Sequence, residues 1–413
     1  MRMTTSASCP VTGFDPFRAP YLIDPYPFFS TARAATAAFH DPALDYWVIT
    51  RHADVLAVFR DPATYSAANA LAPLVPVCPA AAQVLADGGF RPVPTLTNND
   101  PPGHTRVRRL ANKALTRRRV AAMEPFIRAL ARRFITERMA SGEVDFVRAL
   151  AWELPALVVL RILGIPDEDV PAIKAGAESR LLFMWGRPTE KEQLTLAQGM
   201  ARFWRYAEAL VAARFSAPGD DFTTALIAAR DGDEPALSAQ EVATIVYGLL
   251  LAGHETTTSL LGNACHRLLA TDGVWARLVD NRTLIPPALE EVLRFDSSVI
   301  AWRRQSTRPS RIGDVGLPAG AKLLLLIGSA NRDPAAFADP ERFDITRVNA
   351  RDHLSFGHGS HFCLGAPLAR LEAKIVFEEL CALKPGLSLV PGQQLRYQPN
   401  VSFRGPLELR VRA

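Results

Sequence analysis

The feature that most constrains this chain is a cysteine on a glycine-rich turn, placed directly before an amphipathic helix. The turn reads Phe356-Gly357-His358-Gly359-Ser360-His361-Phe362-Cys363-Leu364-Gly365. Apolar residues then recur at helical spacing up to Lys384, where Pro385-Gly386 is a stop signal. Unpaired N–H groups and the positive dipole end of a helix stabilise an anion and lower the pKa of a thiol. The sequence therefore predicts a thiolate at Cys363 that can hold an iron.

The residues around Cys363 suit a large, flat ligand. Gly359 and Gly365 allow the backbone to pass close to such a ligand. Phe356 can cover the sulfur from water, and His361 can donate a hydrogen bond to an acidic edge. Taken singly, a buried cysteine is usually a core residue and a Gly-His segment is usually a loop. In combination, these residues predict a binding site for such a ligand.

A predicted helix from Ser238 to about residue 272 carries a second candidate site. Ser238 and Glu241 have the spacing of a capping box, and the helix would be roughly 50 Å long at 1.5 Å per residue. The segment Ala252-Gly253-His254-Glu255-Thr256-Thr257-Thr258 interrupts its leucine-rich pattern. Threonine hydroxyls can bond to the carbonyl one turn back and open a groove, where Glu255 and Thr256 can pass protons. The alternative is a polar patch between buried turns, and the role of His254 stays open.

Both segments resemble motifs of one family. The pattern F-x-x-G-x-H-x-C-x-G resembles the haem-binding loop of the cytochrome P450 superfamily, the haem-thiolate monooxygenases. The segment 252–258 resembles the oxygen-activation motif of that family, in which the acid relays protons and the alcohol orients dioxygen and water. The motifs occur in family order from His104 to Cys363, so the resemblance covers essentially the whole chain. It implies a mainly α fold with small β-sheets, a triangular prism of helices around a buried haem b, in one domain spanning residues 1–413.

The resemblance extends to a structural network. Glu291 and Arg294 match the E-x-x-R helix of the family, and Pro340-Glu341-Arg342-Phe343 matches its P-E-R-F loop. The family joins the corresponding Glu, Arg and Arg in a buried network, which is severely weakened when one partner is removed. The resemblance thus implies that Glu291, Arg294 and Arg342 hold the cysteine side of the haem pocket.

The resemblance also supplies candidate contacts to the haem and the substrate. Haem-binding positions match His104, Arg108, Ala252, Arg303, Phe356, His361, Cys363 and Gly365, of which His104, Arg108, Arg303 and His361 would bind the propionates. Arg304 is adjacent to Arg303, and the choice between the two depends on counting from Arg294. The substrate pocket is assigned to Gly248, Ala252, Val299, Ile300 and Val401. These apolar residues are equally consistent with an ordinary core.

Charge and cysteine content narrow the class of function. A net charge of +5 over 413 residues is small and is not gathered into a tail, which argues against nucleic acid as a partner. Five cysteines without a C-x-x-C pair indicate neither a disulfide framework nor a zinc site. Residues 1–17 lack an apolar signal core, and the apolar segments of the chain are too short to span a bilayer. We expect a cytoplasmic, monomeric protein with no membrane partner.

The expected function follows from the resemblance. The chain would activate O2 with electrons from a separate ferredoxin or flavodoxin-type donor and insert one oxygen atom into a small apolar or aromatic substrate, by hydroxylation, epoxidation or O-dealkylation. The donor would dock on basic residues of the proximal face, which are Arg106, Arg109, Lys113 and Arg117-Arg118-Arg119, although such residues usually form a solvated face. A peroxide-driven peroxygenase is disfavoured because such enzymes usually lack the Glu255–Thr256 pair. A haem-binding sensor is a non-enzymatic alternative.

Overall fold

The computed structural model describes residues 11–140 and 142–413. Cys9 and Ser141 lie outside the described residues, so the predicted helix break at Ser141-Gly142 falls partly outside them. The helices are, in chain order, α1 (Tyr26–Ala35), α2 (His52–Arg60), α3 (Pro79–Asp87), α4 (Gly103–Ala114), α5 (Arg117–Ala121), α6 (Glu124–Arg138), α7 (Leu154–Leu163), α8 (Val170–Trp185), α9 (Glu190–Ser216), α10 (Phe222–Ala228), α11 (Ala239–Ala252), α12 (Glu255–Ala270), α13 (Val274–Asp280), α14 (Ile285–Phe295), α15 (Ile327–Ala330) and α16 (Ala366–Leu383).

The strands are short and form small sheets beside the helices. They are β1 (Ala38–Asp41), β2 (Tyr46–Ile49), β3 (Tyr65–Ser66), β4 (Glu143–Asp145), β5 (Trp302–Ser306), β6 (Ser310–Ile312), β7 (Val315–Leu317), β8 (Lys322–Leu325), β9 (Ser388–Leu389) and β10 (Arg410–Arg412). The largest sheet has the order β1-β2-β8-β5-β3, in which only β2 and β8 pair in parallel. A second sheet has the order β4-β10-β9, and β6 pairs with β7. The predicted class, mainly α with small β-sheets, is confirmed.

Capping residues begin the helices where the sequence predicts them. Ser238 Oγ accepts a hydrogen bond from the Glu241 backbone N–H at 3.1 Å, and Glu241 Oε2 accepts one from the Ser238 N–H at 2.8 Å. This capping box satisfies N–H groups that the first turn of α11 cannot pair internally. Thr189 and Glu192 make the same arrangement before α9. The predicted helix after Cys363 is likewise present, as α16.

The prediction of one continuous helix over residues 238–272 is wrong. Helix α11 ends at Ala252 and α12 begins at Glu255, with Gly253 and His254 between them. A Cβ at Gly253 would collide with Val159, so only glycine allows this close approach. The helix is therefore fully interrupted at this point, whereas the threonine hydroxyls predict only a bend.

The strand prediction for residues 311–315 is also wrong, because this segment is a hairpin. Strands β6 and β7 pair antiparallel and turn at Gly313, whose φ of 55° is readily adopted only by glycine. The strands predicted within residues 46–50, 322–327, 387–390 and 407–411 are present as β2, β8, β9 and β10.

The core lies where α12 packs against α7, α14 and α16. Every residue of α7 is buried except Arg161, as expected for a helix enclosed on all sides. Since α12 begins at the helix break, this packing places the break in the interior, facing the segment before α16. None of the helices described here combines the length and apolar character needed to cross a membrane.

Candidate active site

A cavity in the core separates the α11–α12 break from the turn that carries Cys363. Ala252, Gly253 and Thr256 line it on one side, and Phe356 and Cys363 line it on the other. The two motifs that the sequence singles out, more than a hundred residues apart, therefore face the same space. Most of the remaining wall is apolar, and its basic and acidic members are Arg108, Arg180, Arg304, His361 and Glu372.

Backbone geometry fixes the turn before α16. The Cys363 N–H donates to the Phe356 carbonyl at 2.9 Å, which closes the turn over the intervening residues. Gly359 has a φ of 68°, and a Cβ there would lie 2.8 Å from the Phe59 carbonyl oxygen. At Gly365 a Cβ would have only Cys363 Sγ within 4 Å, at 3.9 Å, so open space lies beside the sulfur. The turn thus presents Cys363 to the cavity and leaves room for a flat group against the backbone.

The surroundings of the Cys363 thiol differ from the sequence expectation. Burial raises the pKa of this thiol, while the backbone N–H groups of Gly365 and Ala366 and the charges of Arg108 and Arg370 act to lower it. The net direction is upward, opposite to the effect of a helix N-terminus alone. The side chain still has accessible surface, because it faces the cavity.

The acid and the alcohol of the second motif point in different directions. Thr256 lines the cavity, and its Oγ1 donates to the Ala252 carbonyl at 3.1 Å. Glu255 is directed away from the cavity wall: its Oε1 accepts from Lys174 Nζ at 2.8 Å and lies 3.1 Å from His254 Nδ1. Although burial acts to raise the pKa of Glu255, the contacts with His254 and Lys174 lower it to about 2. The carboxylate is therefore ionised and held in a buried charge cluster.

His254 is fully buried in this cluster rather than directed to solvent. Its Nδ1 lies 3.3 Å from Lys174 Nζ, and its Nε2 has no hydrogen-bond partner among the described residues. Burial, and next the charge of Lys174, lower the pKa of His254. A neutral imidazole is therefore favoured, with one nitrogen against the charge pair and the other unused.

Basic side chains gather at the edge of the cavity next to Cys363. Arg108, Arg304 and His361 line it, and the rings of His361 and His104 lie 4.0 Å apart. Burial, followed by the charges of Arg304 and His104, lowers the pKa of His361 to about 3, and burial lowers that of Arg304 to about 10. Within the described chain, His361 Nε2 and both ring nitrogens of His104 lack hydrogen-bond partners. The unpartnered nitrogen of His361 is thus available to an anionic ligand in the cavity, while His104 lies behind it.

Arg303, which the family resemblance assigns to the propionates, does not line the cavity. Its Nη1 and Nη2 donate to the carbonyls of Ala72 and Ala70, and its guanidinium lies over the ring of Trp185. Successive side chains of β5 point to opposite faces of the sheet, so Arg304 occupies the cavity side instead. The candidate propionate ligand on β5 is therefore Arg304 rather than Arg303.

The buried network on the cysteine side has a different third member. Glu291 and Arg294 form a bidentate ion pair with both contacts at 2.7 Å, and neither side chain is exposed. The side chain of Arg342, by contrast, is 69% exposed. Arg347 donates to Glu291 Oε1 at 3.2 Å in its place. Only the backbone carbonyl of Arg342 joins the network, where it accepts from Arg294 and Arg347.

This network is connected to the cysteine turn. Arg294 Nη1 donates to the Asn331 carbonyl at 3.0 Å. The side chain of Asn331 in turn donates to Ser355 Oγ at 2.8 Å and accepts from the Leu354 N–H at 2.7 Å. Since Leu354 and Ser355 directly precede Phe356, the ion pair supports the start of the turn.

The candidate substrate residues divide into two groups. Gly248, Ala252 and Val299 line the cavity. Ile300 and Val401 do not line it, because they are buried in the core, where their N–H groups bond to the carbonyls of Ser402 and Trp185. Aromatic and sulfur-containing side chains also take part in the wall, namely Phe90, Met184, Trp185, Trp302 and Phe403.

Much of the basic surface proposed for a redox partner is already paired. Arg109 forms ion pairs with Asp231 and Glu234, and Lys113 pairs with Asp231. Arg106 similarly pairs with Glu241. Arg117 and Arg118 are exposed and make no ion pair with any described residue. Because α5 packs against α16, these two arginines remain on the cysteine side of the molecule.

Comparisons with known proteins identify the family. The family model described as Cytochrome P450 matches residues 203–381. Cytochrome P450 107B1 of Saccharopolyspora erythraea is 37% identical over 378 residues, which are 89% of this chain and 89% of that relative. Among solved structures, cytochrome P450 CREJ in complex with (4-ethylphenyl) dihydrogen phosphate has a TM-score of 0.93 at 39% identity, over 97% of this chain and 99% of that one.

A second similar structure is larger than this protein. An intact type IV self-sufficient cytochrome P450 monooxygenase has a TM-score of 0.93 at 38% identity and matches 99% of this chain, but only 54% of its own length is covered. Members of the family bind haem b through a cysteine thiolate. Given these similarities, the chain belongs to the cytochrome P450 family and is a haem-dependent monooxygenase.

Proposed function

We propose that Cys363 is the thiolate ligand of the haem and that the enzyme inserts one oxygen atom of O2 into a small apolar or aromatic substrate. The observation that carries this proposal is the position of Cys363: of the described cysteines, it alone lines the cavity, opposite Thr256. The other described cysteines, Cys78, Cys265 and Cys381, are buried elsewhere in the core.

The residues of the cavity fit haem b. A haem needs a soft anionic ligand for its iron and cationic donors for two propionates. Cys363 supplies the former and Arg108 and Arg304 supply the latter, while His361 adds an uncharged ring nitrogen, with His104 behind it. The unpartnered nitrogens of His104 and His361 and the open space beside Gly365 match such a ligand. Phe356 and Ala252 would contact the ring from opposite sides.

Each side chain has a separate task in this proposal. When bound, haem supplies O2 binding and activation, for which thiolate ligation favours O–O cleavage. Thr256 Oγ1 donates its proton to the Ala252 carbonyl, so its oxygen is free to accept a hydrogen bond from a group in the cavity. Glu255 would deliver protons from the Lys174–His254 cluster, whose contacts must loosen for the carboxylate to accept one. The apolar wall excludes water and holds the substrate.

The electron donor is proposed to be a separate acidic protein of the ferredoxin or flavodoxin type. Arg117 and Arg118 are the preferred docking residues, because Arg109 and Lys113 are neutralised by Asp231 and Glu234. Exposed unpaired arginines steer an acidic partner, whereas paired ones contribute little to the long-range field. The retained Glu255–Thr256 pair supports an O2-dependent route over a peroxide-driven one.

The aromatic wall supports the choice of substrate class. Phe90, Trp302 and Phe403 border the same space as Gly248 and Val299. The similar CREJ structure is a complex with a small aromatic compound, (4-ethylphenyl) dihydrogen phosphate. A ligand of that size and aromatic character is consistent with the wall of this cavity.

The decisive experiment is the absorption spectrum of the reduced protein under carbon monoxide, recorded for the wild type and for Cys363→Ser. We expect a strongly red-shifted Soret band in the wild type and its absence in the variant. Cys381→Ser, at a buried cysteine outside the cavity, is the matched control and should keep the band. A wild type that is folded and haem-replete but lacks the shifted band would contradict thiolate ligation, and with it the proposed mechanism.

A further inference from the structure

Arg180 is a buried cation in the cavity wall that has no anionic partner in the described structure. The residue is 5% exposed and lies on α8, facing α11. Its Nη1 donates to the Tyr247 carbonyl at 2.8 Å. Its Nε is buried without a hydrogen-bond partner, and Nη2 makes no hydrogen bond to any described residue. No carboxylate of residues 11–140 and 142–413 contributes to its electrostatic environment, where burial lowers its pKa.

The other basic groups at or near the cavity already have an assigned partner or role. Lys174, six residues earlier on α8 and outside the cavity wall, is paired with Glu255. Arg108, Arg304 and His361 are grouped next to Cys363, where the propionates are proposed to bind. Arg180 is the cation left over. A charge of this kind is strongly disfavoured in a protein interior unless it is paired.

Internal contacts compensate only part of this charge. The guanidinium carbon lies 4.3 Å from the centre of the Tyr247 ring, a cation–π contact. A cation–π contact and one carbonyl hydrogen bond leave two of the three guanidinium nitrogens unused, although arginine is a residue that binds oxyanions through several N–H groups at once. Two further donors on cavity-lining residues, Trp185 Nε1 and the Tyr247 hydroxyl, are also buried without partners among the described residues.

We propose that the natural substrate carries an oxyanion, a carboxylate or a phosphate monoester, which binds to Arg180 while its apolar remainder lies toward Thr256. This inference rests on the proposed function of the cavity and specifies the substrate class. The aromatic wall accommodates the remainder, and the unused guanidinium nitrogens bind the anion. The substrate is therefore amphiphilic rather than uniformly apolar.

The position of Arg180 also limits where oxidation takes place. Arg180 is held at Tyr247, and Ala252 lies five residues further along α11, about 7–8 Å at 1.5 Å per residue. Thr256 follows immediately beyond the helix break. A substrate that extends from Arg180 toward the helix break therefore presents to Thr256 a carbon well removed from the anion. The para-alkyl carbon of a benzoate or of an aryl phosphate is separated from the anion in this way by the length of the ring.

The test compares charged and neutral ligands of one shape. The probes are 4-ethylbenzoate, 4-ethylphenyl phosphate and the neutral 4-ethylbenzamide, each titrated into haem-loaded enzyme at neutral pH. Binding is followed by calorimetry and by the change in the haem absorption spectrum. We expect at least one anion to bind tenfold or more tightly than the amide, and the tighter of the two identifies carboxylate or phosphate as the natural group.

Variants test whether Arg180 causes the preference for the anions over the amide. Arg180→Met should weaken binding of the preferred anion at least tenfold while changing that of 4-ethylbenzamide less than twofold, and Arg180→Lys should restore part of the preference. Arg202→Met, at an exposed arginine of the adjacent α9, is the matched control and should behave as the wild type. The spectrum under carbon monoxide verifies thiolate-ligated haem in every sample.

Two results would overturn the inference. One is equal affinity of the wild type for the amide and both anions, a measurement that needs no variant to fold. The other is an anion preference that persists in Arg180→Met. If the wild type shows the red-shifted carbon monoxide band together with either result, the monooxygenase proposal stands. Only the inference that the substrate carries an oxyanion then fails. If the band is absent, the proposed function fails as well.

Discussion

Replacement of Arg347 by methionine should destabilise the protein far more than the same replacement at Arg342. Arg347 is 9% exposed and donates to Glu291 and to the carbonyls of Ala338, Asp339 and Arg342. Removing one partner of a buried charged network costs about 3–5 kcal/mol. Because Arg294 still neutralises Glu291, we expect the lower end of this range, about 3 kcal/mol.

The expected effect of Arg342→Met is close to zero. Its guanidinium is 69% exposed, and the nearest carboxylate, Asp344, is 3.9 Å away. Exposed ion pairs contribute at most about 1 kcal/mol. The backbone carbonyl of Arg342, which does take part in the network, is unchanged by the substitution.

Thermal unfolding of the haem-loaded variants distinguishes the two positions. An unfolding entropy of about 2.1 cal/mol/K per residue corresponds to roughly 0.9 kcal/mol/K for a chain of this length. The Tm of Arg347→Met should therefore fall by about 3–4 °C, and that of Arg342→Met by less than about 1 °C. Both scans need the same heating rate, since unfolding of a cofactor protein is seldom reversible. A larger loss at Arg342 than at Arg347 would refute the assignment.

Further predictions concern buried charges at the cavity. Burial raises the pKa of Glu372 well above its usual value of 4.5, so the folded state keeps a proton that the unfolded state releases, and stability falls as pH rises above 4.5. Glu372→Met should therefore stabilise the protein by up to about 1.4 kcal/mol for each pH unit above this value until the folded-state pKa is passed; equal gains in unfolding free energy at about pH 5 and pH 8 would contradict this. Arg304→Met should accelerate haem loss to a haem-accepting protein at least tenfold, whereas Arg303→Met should lower Tm with little change in that rate. Faster haem loss from Arg303→Met than from Arg304→Met would indicate that Arg303, and not Arg304, binds a propionate.

The sequence predicts regular structure well wherever one residue pattern dominates. The capping box at Ser238 and Glu241, the helix after Cys363 and the short strands near residues 46 and 322 all follow from local chemistry that tertiary packing does not oppose. The glycine turn at Cys363 is similarly local, because its conformation depends on its own glycines.

Side-chain direction is harder to predict. Arg303 and Arg304 are adjacent on a strand, so a counting error of one residue moves the charge to the opposite face. Arg342 and Arg347 lie in an irregular segment without a periodicity that could tell which of them points inward. The thiol of Cys363 responds to burial in a cavity that exists only after folding.

The sequence does not predict the roles of Lys174 and Arg180, because the groups that these two side chains contact are distant in the chain. Lys174 pairs with Glu255, 81 residues away, and no local pattern indicates that contact. Arg180 did leave a signal, since it precedes the apolar segment Leu181-Leu182-Phe183-Met184-Trp185 on the same helix. A charged residue that begins an otherwise apolar helical segment and has no acidic residue at i±3 or i±4 is a candidate for contact with a ligand.

The helix α8 makes one charged contact to each half of the interrupted helix, through Arg180 to Tyr247 on α11 and through Lys174 to Glu255 on α12. Moving α8 outward would break both contacts. A single helix thus joins the two halves of the interrupted helix, so any displacement of α8 would act on the substrate end at Arg180 and on the proton-relay end at Glu255 together.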